Sequence, residues 1–343
     1  MPSASTSLSA LMNMKTCGAN PKRRHHVLPQ LYLKGFMIPS DEPHLWVYKS
    51  GQPFHPGYGR TTDNPFKQSV RLAGAERDFY ADPLPGGSKD FDTFENILES
   101  LEKPADPIFR KLRASERIDE KEKLMFAQYI ILTMRRVWSS REEMTRRVTQ
   151  PGSYRPTDHL FRKLNVARTP ETEANIMEAW ERIVKTPGAA VQFHNRLAAA
   201  SPDSFLVVAL QKMRWIFYVA PAGYCFVTSD NPAWHPKIGL GKSIAELSFP
   251  ISASIALVAT WSKCANEGFT NATAQIVREV NRRTIHSTEK NVFASRAEEW
   301  IINMFNRQAY DYKPIFKTKE VYDVVKLVPD MPGSRGKLVW NLR

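Results

Sequence analysis

An α+β fold is predicted for this chain, with a helical middle and a mostly antiparallel sheet built from both ends of the sequence. Three observations lead there. Apolar residues recur at spacings of three and four from Phe91 onward, through Phe94, Ile97, Leu98 and Leu101. Short aromatic and β-branched runs bounded by Gly, Pro, Asn and Asp lie before and after that region. The tight-turn tripeptide Pro221-Ala222-Gly223 separates two such runs, Arg214–Val219 and Tyr224–Thr228, and reads as a hairpin.

The elements follow in order. Residues 1–21 are Ser-rich, too weakly apolar for a signal-peptide core, and read as a disordered tail. Leu45–Gly51 alternates aromatic and polar residues and meets a Gly, as a strand entering a turn does. Residues 52–75 are rich in Pro, Gly, Asn and Thr and read as an irregular connection. Ala75–Asp82 is a short strand or turn. The helical insert spans about 91–213. Its second helix starts strongly, with Asp119 as N-cap and Glu120 and Glu122 in the first turn, and runs to about Val148, before Gln150-Pro151-Gly152. Residues 151–170 form a loop, and Pro170 opens another helix at its first position. After Ser204–Met213, also helical, strands are expected at Ser248–Thr260, Asn291–Ala294 and Glu320–Leu327, and helices at Ala272–Thr284 and Glu298–Arg307. A single domain over 22–330 and a C-terminal tail at 331–343 complete the division.

Bulk properties narrow the class. With 343 residues, 42% hydrophobic, the chain can bury a proper core, and no apolar run approaches the roughly 20 residues of a membrane span. Cys17, Cys225 and Cys264 are far apart and show no CxxC spacing, which argues against a disulfide scaffold or structural zinc and fits a reducing cytoplasm. Forty-eight Lys and Arg oppose 35 Asp and Glu, a net charge of +13 that favours polyanionic partners, nucleic acid first. GxGxxG, GxxxxGK[ST], HExxH and GxSxG are all absent, which lowers the odds of dinucleotide, P-loop, zincin and α/β-hydrolase chemistry.

The segment Lys22–Phe36, KRRHHVLPQLYLKGF, carries the densest chemistry. Adjacent histidines in a strand point to opposite faces, so one at most faces a given site. Imidazole titrates near neutral pH and binds metals. His25 is therefore a candidate metal ligand and His26 a candidate catalytic base, the plain alternative being a strand His bonded to a backbone carbonyl. Glu76 and Asp78 would share a face of a strand, and two such carboxylates suit a divalent cation; a salt-bridge cluster around Arg77 is the other use. Asp230, in Ser229-Asp230-Asn231-Pro232, is a candidate ligand or acid/base group, although an Asp there also caps turn amides. Asn231 could orient a phosphate and Arg135 stabilise its developing charge. Glu95 and Glu102 share a helix face, as do Gln128 and Arg135, so an Arg–Glu pair joining two helices is an alternative role for Arg135.

HHVLPQLYLKGF, ERDFY, the Gln128–Arg136 helix, FVTSDNP, FPISASIALVA and NVFAS together resemble a bacterial family of uncharacterised proteins, domain-of-unknown-function family 4238. The likeness runs in order over roughly residues 24 to 305. Ala253 stands where that family would have Pro. The resemblance implies fold boundaries and no reaction.

The function expected from the residues is a Mg²⁺- or Mn²⁺-dependent phosphodiesterase or nuclease, with His25, Glu76, Asp78 and Asp230 on the metal and His26, Asp230, Asn231 and Arg135 serving catalysis. The alternative is a non-catalytic nucleic-acid-binding or regulatory protein, in stress or phage defence. A composite site requires the N-terminal segment to pack beside the Thr228–Pro232 turn.

Overall fold

The computed structural model describes residues 24–52, 64–83, 88–149, 167–185, 205–236, 239–305, 310 and 312–316. From the N-terminal side, β1 (Arg24–His26) leads into α1 (Gln30–Leu33) and a 3-10 turn, Lys34–Phe36. Then come β2 (His44–Lys49), β3 (Phe66–Ser69), β4 (Ala75–Arg77), β5 (Asp82–Pro83) and β6 (Lys89–Asp90). The helical middle holds α2 (Thr93–Glu102), α3 (Ala105–Arg113), α4 (Glu120–Arg136), α5 (Trp138–Thr149), α6 (Pro170–Lys185) and α7 (Phe205–Lys212). The C-terminal part supplies β7 (Arg214–Val219), β8 (Thr228–Ser229), β9 (Glu246–Pro250), β10 (Ile255–Thr260), β11 (Gly268–Asn271), α8 (Ala274–Ser287), β12 (Asn291–Ala294) and α9 (Glu299–Phe305).

Two four-stranded sheets organise these elements, in the orders β11-β7-β10-β9 and β3-β2-β12-β8. Every pairing is antiparallel except β11 with β7. The second sheet joins the two ends of the chain, since β2 pairs β12 with Val47 opposite Phe293. The mixed α+β architecture with a helical middle is thus the one the sequence predicts.

Four elements differ from expectation. The Pro221-Ala222-Gly223 turn forms, with the Tyr224 N–H donating to the Pro221 carbonyl at 3.0 Å, but no hairpin follows. Val227 donates its N–H to Asn281 Oδ1 at 3.0 Å, and Asn281 Nδ2 donates to the Cys225 carbonyl at 2.9 Å. A buried side chain of α8 thus takes the bonds a partner strand would make, and the chain crosses to the other sheet as β8. The stretch Ser248–Thr260 is two strands, β9 and β10, folded at Ile251–Ser254, where Ser252 Oγ accepts from the N–H groups of Ser254 and Ile255 at 3.2 and 3.1 Å. The helix expected from Asp119 to Val148 is broken at Val137, whose ψ of 157° is extended. Its start is as predicted: Asp119 accepts from Glu122 N–H at 2.8 Å and Glu122 from Asp119 N–H at 3.0 Å. Within 52–75 lies an ordered strand, β3. The tails at 1–21 and 331–343 and the Glu320–Leu327 strand lie outside the described residues.

The principal core sits between α4 and the first sheet and is strongly aromatic, with Phe36, Phe109, Phe126, Tyr129 and Phe249 buried together. Tyr32 pins it. Its hydroxyl donates to the Pro250 carbonyl at 2.9 Å and lies 2.5 Å from the Thr228 hydroxyl. Burial pushes this phenol well above its usual pKa, so it stays a donor. The same bond sets the N-terminal segment beside the Thr228–Pro232 turn.

Candidate functional site

The histidine pair lies in a short antiparallel ladder of β1 and β4, with Arg24 opposite Arg77, His25 opposite Glu76 and His26 opposite Ala75. Alternation divides the ladder into two faces. His25 faces inward, fully buried, and Tyr80 N–H donates to its Nδ1 at 2.7 Å. Its Nε2 is 2.8 Å from the Phe91 carbonyl, so that nitrogen carries the proton. Both ring nitrogens are therefore committed to backbone groups, and no lone pair is left for a metal.

His26 reaches the surface, with its side chain 21% exposed. Its Nε2 lies 3.2 Å from both the Arg71 carbonyl and the Gln30 amide nitrogen. Its Nδ1 is 3.9 Å from Glu95 Oε1, and its backbone N–H donates to the same oxygen at 3.4 Å. Burial pushes the Glu95 carboxyl up, but the His26 bonds and the charge of Arg136 outweigh it, and the carboxyl titrates below its ordinary range. Glu95 Oε2 is buried without a partner among the described residues.

Arg136 completes this network. It is 2% exposed, donates from Nε to the Tyr80 hydroxyl at 2.9 Å, bonds the His26 carbonyl, and pairs with Glu102. An Arg–Glu pair thus joins α4 to α2, one residue beyond the Arg135 considered from sequence. Arg135 is half-buried, and burial lowers its pKa. The signal for Arg136 was its spacing of seven from Tyr129, which puts both on the buried side of α4.

Other predicted residues are engaged elsewhere. Glu76 accepts from Trp138 Nε1 at 2.7 Å and from Lys290 Nζ at 3.0 Å, and that ammonium sits 3.9 Å above the Trp138 ring. Asp78 does not share its face: the strand ends at Arg77, and Asp78 has a φ of 56°. Asp230 accepts three successive backbone N–H groups, from Glu289 at 2.9 Å, Lys290 at 2.7 Å and Asn291 at 2.8 Å. Burial pushes its carboxyl up to about 6 against the pull of those amides. The Asn231 carbonyl accepts from Ser287 Oγ at 2.7 Å. Lys290 therefore stands between Glu76 and Asp230, binding one through its ammonium and the other through its amide. Among the described residues no group of three His, Cys, Asp or Glu is placed to hold a metal ion.

On the outer face, Arg24 and Arg77 are exposed and directly opposed, with His26 beside them. The His26 contact also brings Arg71, exposed as well, alongside. Sequence reasoning passed over Arg77 as a mere bridge between acids, though its place in an alternating ERD run marks it for the opposite face.

Fold and site together define an α+β protein whose N-terminal ladder carries cations outward and a buried His–Glu–Arg network inward. Residues 24–298 match a protein family of unknown function, DUF4238, and the chain belongs to that family. No curated protein and no solved structure matches. Among the described residues no helix is long and apolar enough to cross a membrane.

Proposed function

We propose that this protein binds nucleic acid without cleaving it. The observation that carries the reading is the contrast between its acids and its arginines. The residues suited to a metal are committed internally: His25 to two backbone groups, Glu76 to Trp138 and Lys290, and Asp230 to three amides. Arg24, Arg71 and Arg77 meanwhile stand exposed, with no acidic partner among the described residues, on a chain of net charge +13. Unpaired guanidinium groups are good ligands for phosphate oxygens, and a basic surface supplies long-range attraction to a polyanion.

Fluorescence anisotropy with labelled single-stranded and duplex RNA and DNA tests the reading. Affinity should fall steeply between about 50 and about 200 mM salt as counterion release predicts. The same oligonucleotides should stay intact after incubation with Mg²⁺ or Mn²⁺. Metal-dependent cleavage would replace binding with hydrolysis, and absence of binding at the lower salt would remove nucleic acid altogether.

A further inference from the structure

The outer face of the β1–β4 ladder has a property that its hydrogen bonding leaves unexplained. Arg24 and Arg77 occupy a directly opposed cross-strand position, where like charges repel and weaken the pairing. No carboxylate of the ladder relieves them, because Glu76 lies on the other face and the remaining outer residues are His26 and Ala75. The ladder nevertheless holds its register, since it is anchored from below. His25 is bonded through both ring nitrogens, Arg136 holds the His26 carbonyl, and Val27 donates its N–H to the Gly74 carbonyl at 2.9 Å. The repulsion is thus built in and held in place by the buried network.

We infer that Arg24 and Arg77 form a phosphodiester clamp, the point at which the protein grips a nucleic-acid backbone; the inference rests on the binding function proposed above. Two guanidinium arms rooted about 5 Å apart on adjacent strands can close on one phosphate or bridge neighbouring ones. The Arg71 carbonyl lies against His26 next to the pair, and Arg71 is itself exposed. Because the backbone is fixed before the ligand arrives, little ordering is needed on binding. An anionic membrane is the less suitable partner. Adhesion to lipid headgroups uses clusters of about four to eight basic residues, against the two outward arginines of the ladder among the described residues.

The test compares two charge-matched double variants of the full chain, both of exposed residues. One is Arg24→Gln/Arg77→Gln; the other is Arg117→Gln/Lys121→Gln, whose side chains lie beside the start of α4. Binding to a labelled single-stranded RNA is measured across a salt series, and to phosphatidylserine vesicles in parallel, with circular dichroism to check each fold. The clamp variant should bind RNA at least about tenfold more weakly and lose about 1.4 from the slope of log K against log salt, the share of two phosphate contacts. The control pair should change affinity less than about twofold. Equal losses in both variants would overturn the clamp while leaving nucleic-acid binding intact, since a diffuse field would then account for it. Failure of the wild type to bind RNA or DNA would overturn both, and so would capture by vesicles alone.

Discussion

Glu95 is the side chain whose surroundings make the sharpest single-residue forecast. Its carboxyl is held below its ordinary titration range by His26 and Arg136, despite burial. An acid whose folded pKa is depressed contributes stability in full above its unfolded value, near pH 4.3, and loses it as pH falls through the folded value. Urea unfolding of wild type and Glu95→Gln should therefore differ most near neutral pH, with the gap narrowing below about pH 4.3. A gap independent of pH would mean that the charge of Glu95 contributes nothing. At this scale the sequence was only half legible. HHVLPQLYLKGF is legible as the densest run of chemistry and Asp230 as a candidate acid, but residue type says nothing of what a lone pair meets. Asp230 meets three amides and His25 meets a carbonyl and an amide, contacts supplied by segments 55 or more residues away.

Among the elements, α4 holds most together. Its capping box starts it, its aromatic side fills the core, and its C-terminal Arg136 ties it to α2 and to the ladder. Removing one member of a buried ion pair typically costs about 3–5 kcal/mol, so Arg136→Ala should lower unfolding free energy by about that much. Lys121→Ala, at an exposed position of the same helix, should cost clearly less; chemical denaturation of the two variants decides it. Similar losses would mean that the pair with Glu102 does not bear on stability. The start of α4 was readable because capping is local, and so were β2 and β12, which are short and strongly apolar. The break at Val137 and the missing hairpin were not, because each depends on a distant partner: α5 begins with Ser139 N–H donating to Glu289 at 2.8 Å, and the would-be hairpin strand is taken by Asn281 of α8.

On the scale of the molecule, the structured unit extends beyond the family match. Past residue 298, Ile315 and Phe316 donate their N–H groups to Glu246 at 3.1 and 2.7 Å, and the Lys313 carbonyl accepts from Arg283 at 2.9 Å. Arg283 is wholly buried and also pairs with Glu246 at 2.7 Å and Glu279 at 3.2 Å. A chain ending at Phe305 would leave Glu246 without two of its donors, and each buried polar group left unsatisfied costs about 1–3 kcal/mol. Such a chain should unfold at lower urea than the full-length protein, by about 2 kcal/mol or more. Equal midpoints would show the 312–316 segment to be dispensable. The sequence places this segment inside the 22–330 domain but does not mark its contacts, because they are made by backbone amides and a carbonyl.

The Tyr48 hydroxyl lies between the Arg296 carbonyl, 248 residues further along the chain, and the Glu298 amide, 250 residues away. Its strand, β2, pairs β3 on one edge and β12 on the other. During synthesis at about 5–20 residues per second, β2 must wait roughly ten to fifty seconds for that partner to be made. Through that interval HLWVYK is an apolar strand with an open edge, the sort of surface that chaperones hold and that otherwise recruits neighbouring chains. Yield in a foreign host should accordingly depend on how fast the ribosome delivers the stretch between β2 and β12 and on which chaperones are present meanwhile.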